Sequence, residues 1–191
     1  MSFKFRDGEM GKQILESIAS YGGQHRFMHV CGTHQDTMVR FGLEELLADV
    51  GVEIRQGPGC PVCVTTGNEI GAGIALAKAG KTVCVFGDMM KVPTSDGSLD
   101  DAKADGADVR IVYSIEDAVR MAEEQDRDVV FMAVGFETTA PTTAIPLLKG
   151  VPDNFSIYSC HRLVPPALEA IFHMGDIKAD GFIQPGHVSV I

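Results

Sequence analysis

Apolar residues along this chain fall into short β-branched runs separated by longer stretches with helical spacing. Runs at Arg26–Val30, Val52–Arg55, Thr82–Phe86, Val109–Tyr113, Val129–Val134, Phe155–Ser159 and Gly181–Ile183 predict seven strands. Between them, Ile14, Leu15 and Ile18 form one stripe, with Asp7 as its cap and Gly22 and Gly23 as its stop. Met38, Phe41, Leu43, Leu46 and Leu47 form a second, and Ile70, Ile74 and Ala77 a third that ends at Gly80. Ser114 and Asp117 stand at capping-box spacing before Ala118, Met121 and Ala122. The strand runs lack a strict polar alternation, as expected where helices cover both faces of a sheet.

Strands alternating with helices predict an α/β fold of mostly parallel strands. The expected architecture is two Rossmann-like lobes with motif loops at the C-terminal strand ends, around a cleft. A division near Ser114 gives a first lobe of residues 1–113 and a second, incomplete one of residues 114–191. An incomplete lobe would leave apolar surface uncovered, so self-association through it is expected.

Composition narrows the class. The chain has 191 residues with Lys plus Arg 16 against Asp plus Glu 26, a formal charge of −10. That balance argues against a nucleic-acid binder, which needs a basic face. No apolar run approaches the ~20 residues of a membrane span, and the charged start MSFKFRDGEMGK does not read as a secretory signal. A cytoplasmic location with reduced thiols follows as the expectation. Five cysteines is an odd number and does not fit a disulfide framework.

The chemistry-bearing residues gather after the strands. Cys31-Gly-Thr-His34 follows the first, and Gly57-Pro-Gly59-Cys60-Pro-Val-Cys63 the second. Gly135-Phe-Glu137-Thr138-Thr139-Ala-Pro141 follows the fifth, and Pro185-Gly-His187-Val-Ser189 the seventh. A Cys-x-x-Cys pair at a helix start has a thiolate-favouring setting, and can close a disulfide or supply two soft metal ligands. The plain alternative is two thiols packing a turn. Cys31 and His34 can share a metal or a proton, or simply pack. With Cys60 and Cys63 they offer the ligand set of a Cys₃His zinc site. Glu137 and the threonines after it suit a polar or anionic ligand, against the alternative that Thr138 or Thr139 merely caps a helix. His161 and His187 are each more often structural than catalytic. Cys84 lies inside a strand and reads as core. Dinucleotide, phosphate-loop, serine-elbow and zinc-helix signatures are absent from the sequence.

Taken in order, CGTH (31–34), GPGCPVC (57–63), FGDMMKVP (86–93), GFETTAP (135–141), HRLVPPA (161–167) and PGHVS (185–189) closely resemble the HypD family of [NiFe]-hydrogenase maturation factors. The resemblance implies a scaffold on which an iron ion receives one carbon monoxide and two cyanide ligands. A HypC-like chaperone and the cyanide-supplying HypE–HypF pair would be its partners. It further implies Cys31 as the iron-binding thiolate and Cys60 and Cys63 as a redox-active pair, with His34, Glu137 and His187 lining the site. Backbone donors on the Gly57–Gly59 and Glu137–Thr139 loops are expected to hold the cyanides.

Two departures stand out. The family usually has Glu where this chain has Gln35, and its members carry a cysteine-rich [4Fe–4S] portion beyond PGHVS. Setting aside Cys31, Cys60 and Cys63, only Cys84 and Cys160 remain, too few for such a cluster, so none is expected on this chain. Two other functions stay open at this point: a stand-alone thiol–disulfide oxidoreductase, and a zinc-stabilised binding module.

Overall fold

The structure, a computed structural model, describes residues 7–175 and 177–186. The chain alternates between strands and helices, and its seven strands among the described residues form two separate parallel sheets. It divides into two compact units. One takes residues up to Gly59 and returns from Leu168; the other is Cys60–Ala167.

In the first unit, β1 (His25–His29), β2 (Val52–Gln56) and β7 (Gly181–Ile183) lie in the order β2-β1-β7. Helix α1 (Gly8–Tyr21) starts where Asp7 accepts the N–H groups of Glu9 and Met10. Its stripe is half-buried at Leu15 and Ile18 but exposed at Ile14. The second predicted stripe is two helices, α2 (Gly32–Phe41) and α3 (Leu43–Ala48), because left-handed Gly42 breaks it. None of these three helices has a fully buried residue. β7 is joined to β1 by Asp180, whose carboxylate accepts the Arg26 N–H and whose own N–H donates to the Arg26 carbonyl.

The second unit is packed more completely. Its strands β3 (Thr82–Val85), β4 (Val109–Ile111), β5 (Val129–Gly135) and β6 (Phe155–His161) lie in the order β4-β3-β5-β6. Every residue of β3 and β5 is buried. On one face, Ile70, Ile74 and Ala77 of α5 (Gly67–Lys78) join Leu99 and Ala102 of α6 (Leu99–Ala104) over Val83, Val85 and Met132. On the other, Ile115, Ala118 and Ala122 of α7 (Ile115–Glu123) pack on Phe131, Ala133 and Cys84. Helix α8 (Ala140–Lys149) belongs to this unit and α9 (Val164–Met174) begins in it, with a four-residue helix α4 (Pro61–Val64) before α5.

The expected division at Ser114 differs from this partition. It falls between β4 and β5, whose strands share one sheet through β3. The strand runs themselves agree with the structure to within two residues at either end.

Candidate functional site

Strand order places the motif loops. In each unit the first strand has its successor on one side and a later strand on the other: β2-β1-β7 and β4-β3-β5. Such a reversal opens a crevice beyond the carboxyl ends of the two diverging strands, the usual ligand position in open parallel sheets. Cys31 follows β1 at the switch point of the first sheet. The Gly135–Thr139 turn follows β5 at that of the second.

In the first unit, Cys31 is the N-cap of α2, with extended backbone and a buried side chain. Gly59 is pressed against it: a Cβ there would lie 2.0 Å from the Cys31 nitrogen, so no other residue fits without moving backbone. The Gly32 N–H donates to the Gly59 carbonyl at 3.3 Å, and the Gly57 N–H to the His29 carbonyl at 2.8 Å. The CGTH and GPG loops are thereby stitched together, and the Gly57 donor expected for cyanide is already used inside the stitch. His34 is half-buried, its ring edge-on to His29 at a centroid distance of 5.8 Å.

His29 was not among the sequence-predicted site residues. It is buried at the end of β1, pairs through Nε2 with Gln35 Oε1 at 2.8 Å, and has no hydrogen-bond partner for Nδ1 among the described residues. Gln35, where the family usually has Glu, thus contacts a buried imidazole. His187 lies outside the described residues.

In the second unit, Cys60 caps α4 and its Sγ accepts the Cys63 N–H at 3.4 Å. Cys60 and Cys63 are both in the thiol form, and Cys63 is exposed. Its hydrogen bond to Cys60 holds the Cys63 thiol above the ordinary thiol value, with burial adding to the effect. That is the reverse, for Cys63, of the thiolate-favouring setting expected of a helix start. Cys84 and Cys160 behave differently. Burial pushes them up to about 12 and about 11, and both belong to packed cores.

Glu137 has a definite structural role. Its Oε1 accepts the Val164 N–H at 2.7 Å, near the start of α9, while Oε2 is buried with no hydrogen-bond partner among the described residues. The turn it stands on depends on Gly135, where a Cβ would come within 2.3 Å of the Thr139 side chain. Thr139 makes no side-chain cap to α8, and its N–H donates to the Phe136 carbonyl. Thr138 is exposed. His161 ends β6, with Nδ1 3.1 Å from Ser159 Oγ and Nε2 3.4 Å from Thr143 Oγ1, and burial lowers its pKa.

Cys31 and His34 belong to one unit and Cys60 and Cys63 to the other. Among the described residues, no group of three or more His, Cys, Asp or Glu side chains is placed to hold a metal ion. No described helix is long and apolar enough to cross a membrane.

A family model described as "HypD: Hydrogenase formation hypA family" matches residues 9–191. The chain is 48% identical to a putative hydrogenase expression/formation protein of Methanocaldococcus jannaschii, covering 93% of this chain and 50% of that protein. It is 45% identical to the hydrogenase maturation factor HypD of Rhizobium leguminosarum bv. viciae, over 98% of this chain and 52% of the relative. The HypD of Escherichia coli is 41% identical, with 98% and 54% covered. The chain spans about half the length of the curated relatives it matches.

Proposed function

Because the chain belongs to the HypD family of hydrogenase formation proteins, we propose that it is a maturation scaffold on which iron, as substrate, acquires one carbon monoxide and two cyanide ligands. In this reading the Cys31 thiolate holds the iron, which suits a soft ligand for ferrous iron bearing strong-field diatomics. Cys60 and Cys63 exchange electrons as a dithiol–disulfide pair. Partners are a HypC-like chaperone and a HypE–HypF pair that supplies cyanide, in the cytoplasm. His34 and His187 would line the iron, while Glu137 acts through the α9 segment it caps.

The observation that supports this reading most is the place of Cys31: a buried thiol at the switch point of a parallel sheet, with Gly59 packed on its backbone. The test is infrared spectroscopy of the chain co-produced with a HypC-like chaperone and the cyanide-supplying pair. Diatomic stretching bands that vanish in Cys31→Ala support the reading. Absence of bands where a longer relative shows them overturns it.

A stand-alone thiol–disulfide oxidoreductase is the second reading, favoured by the exposure of Cys63 and its contact with Cys60. It differs in one respect that the same variant reads: dithiol oxidation by Cys60 and Cys63 would be indifferent to Cys31→Ala.

A further inference from the structure

The loop holding the Cys60–Cys63 pair is braced by a side-chain network within the second unit. After α4, the Thr65 hydroxyl donates to the Pro61 carbonyl at 2.8 Å, closing the turn on itself. Thr66 then caps α5 in a full capping box: its Oγ1 accepts the Glu69 N–H, and Glu69 Oε2 accepts the Thr66 N–H at 2.8 Å. Glu69 does more than close that box. Its two carboxylate oxygens each accept from Arg162 Nη2 at 2.6 Å, across 93 positions of sequence. Both side chains are mostly buried, at 22% and 33% exposure, so solvent screens the pair less than a surface bridge.

Arg162 is itself fixed from behind. Its N–H donates to the Gly135 carbonyl at 3.0 Å and its Nη1 to the His161 carbonyl at 3.1 Å. Two residues on, the Val164 N–H donates to Glu137. The segment His161–Val164 therefore ties the β5 turn to the α4–α5 corner. Val62, between the two cysteines, packs against the core that contains Val134 and Cys160.

We infer that Glu69 and Arg162 are positioning residues for the Cys60–Cys63 pair: their ion pair holds the α4–α5 corner so that Cys60 Sγ keeps the Cys63 N–H as a donor. This rests on the reading of the two cysteines as a redox couple. An N–H donor favours an electron-rich thiol or thiolate sulfur over a disulfide sulfur. The brace thus stabilises the reduced form and makes the couple more oxidising.

The test is redox equilibration of the 191-residue chain with glutathione. Two thiols lose two electrons and two protons in forming one S–S bond, and one glutathione disulfide accepts both to become two glutathione thiols. The Cys60–Cys63 disulfide is quantified by mass spectrometry after alkylation. Glu69→Gln keeps an acceptor for the Thr66 cap but removes the charge that Arg162 needs. We expect its equilibrium to shift toward the disulfide by about three- to tenfold. Arg162→Met should shift it equally, Arg162→Lys should restore most of the wild-type value, and the double variant should add little to either single change.

A merely structural loss would lower the melting temperature without moving this equilibrium, so an equilibrium within twofold of wild type in folded Glu69→Gln overturns the inference. If that variant does not fold, Arg162→Met against Arg162→Lys decides by the same criterion. Should the wild-type cysteines form no reversible disulfide, the redox-couple reading and this inference fall together. The readout needs no iron or partner, so loss of the infrared bands alone leaves the inference standing.

Discussion

The two units hold their cysteines by opposite means. In the first, Cys31 is fixed by backbone approaching backbone, with Gly59 against its nitrogen and ladder-like bonds joining the CGTH and GPG loops. The helices around it bury little: α1, α2 and α3 have no fully buried residue. In the second, half-buried Cys60 and exposed Cys63 stand on a turn braced by Glu69, Arg162 and the capped α5, in a unit whose sheet is buried on both faces. Thin packing with a tight local stitch permits a loop to be held while its frame stays open to partners. Deep packing with a side-chain brace instead sets a geometry from a distance.

Phe131 is fully buried on β5 and meets Phe86 edge-on at 5.5 Å. Phe131→Ala should destabilise the second unit by about 3–5 kcal/mol through lost transfer energy and a residual cavity. Hydrogen exchange reads the units separately. The expected outcome is faster exchange in β3, β5 and β6, with β1 and β2 unchanged. Equal loss of protection in both units would show that they unfold together, and the contrast drawn from packing would not extend to stability.

Alkaline pH acts on the same core with a smaller effect. Burial raises the Cys84 thiol from 9.0 to about 12, and Asp108 adds to the shift. A raised folded pKa contributes stability that is complete below the unfolded value and is lost as pH climbs from there toward the folded one. The second unit should therefore weaken above about pH 9. Cys84→Ala loses side-chain packing at neutral pH, since Cys84 Sγ lies 3.8 Å from Met121 Sδ, but it also loses the titration. Its melting-temperature deficit should narrow as pH is raised from about 8 to about 10. A deficit that stays constant across that range would mean Cys84 ionises as readily folded as unfolded.

These contrasts were only partly legible in the sequence. Strand positions were, because buried β-branched runs bounded by glycine and polar turns leave few other choices. The cap at Asp7 and the stop at Gly80 were legible for the same local reason. Strand order was not, since nothing in residues 82–135 says that β5 lies beside β3 rather than beyond β4. The two units were consequently divided at Ser114, although the chain leaves the first unit at Gly59 and returns only from Leu168. At Ser114 the capping pattern was half right: the Ser114 hydroxyl oxygen accepts the Asp117 N–H, but the Asp117 carboxylate reaches Tyr113 N–H instead of closing the box.

The site was legible at the level of motifs and illegible in its supports. Cys31, Cys60 and Cys63 stood out by residue type and spacing. His29 and Glu69 did not, because a histidine in a strand and a glutamate in a first helical turn are ordinary until the folded chain brings Gln35 and Arg162 to them. Even Glu137, singled out by its motif, has one oxygen committed to the Val164 N–H, a partner 27 residues away.

The smallest expected effect tests the thin unit directly. Ile14 lies on α1 at 53% exposure, in the stripe that also carries half-buried Leu15 and Ile18. Ile14→Ala removes little buried area and improves helix propensity, so the change in stability should stay within about 0.5 kcal/mol. Chemical denaturation with urea, followed by helical circular dichroism, measures it. A cost of several kcal/mol would require that Ile14 be covered in solution, because exposed side chains away from special features do not produce such values. In that event the open face of α1 would be an interface. The sparse packing of the first unit would then describe a surface awaiting its partner, and the difference between the units would lie in what covers each sheet rather than in how each folds.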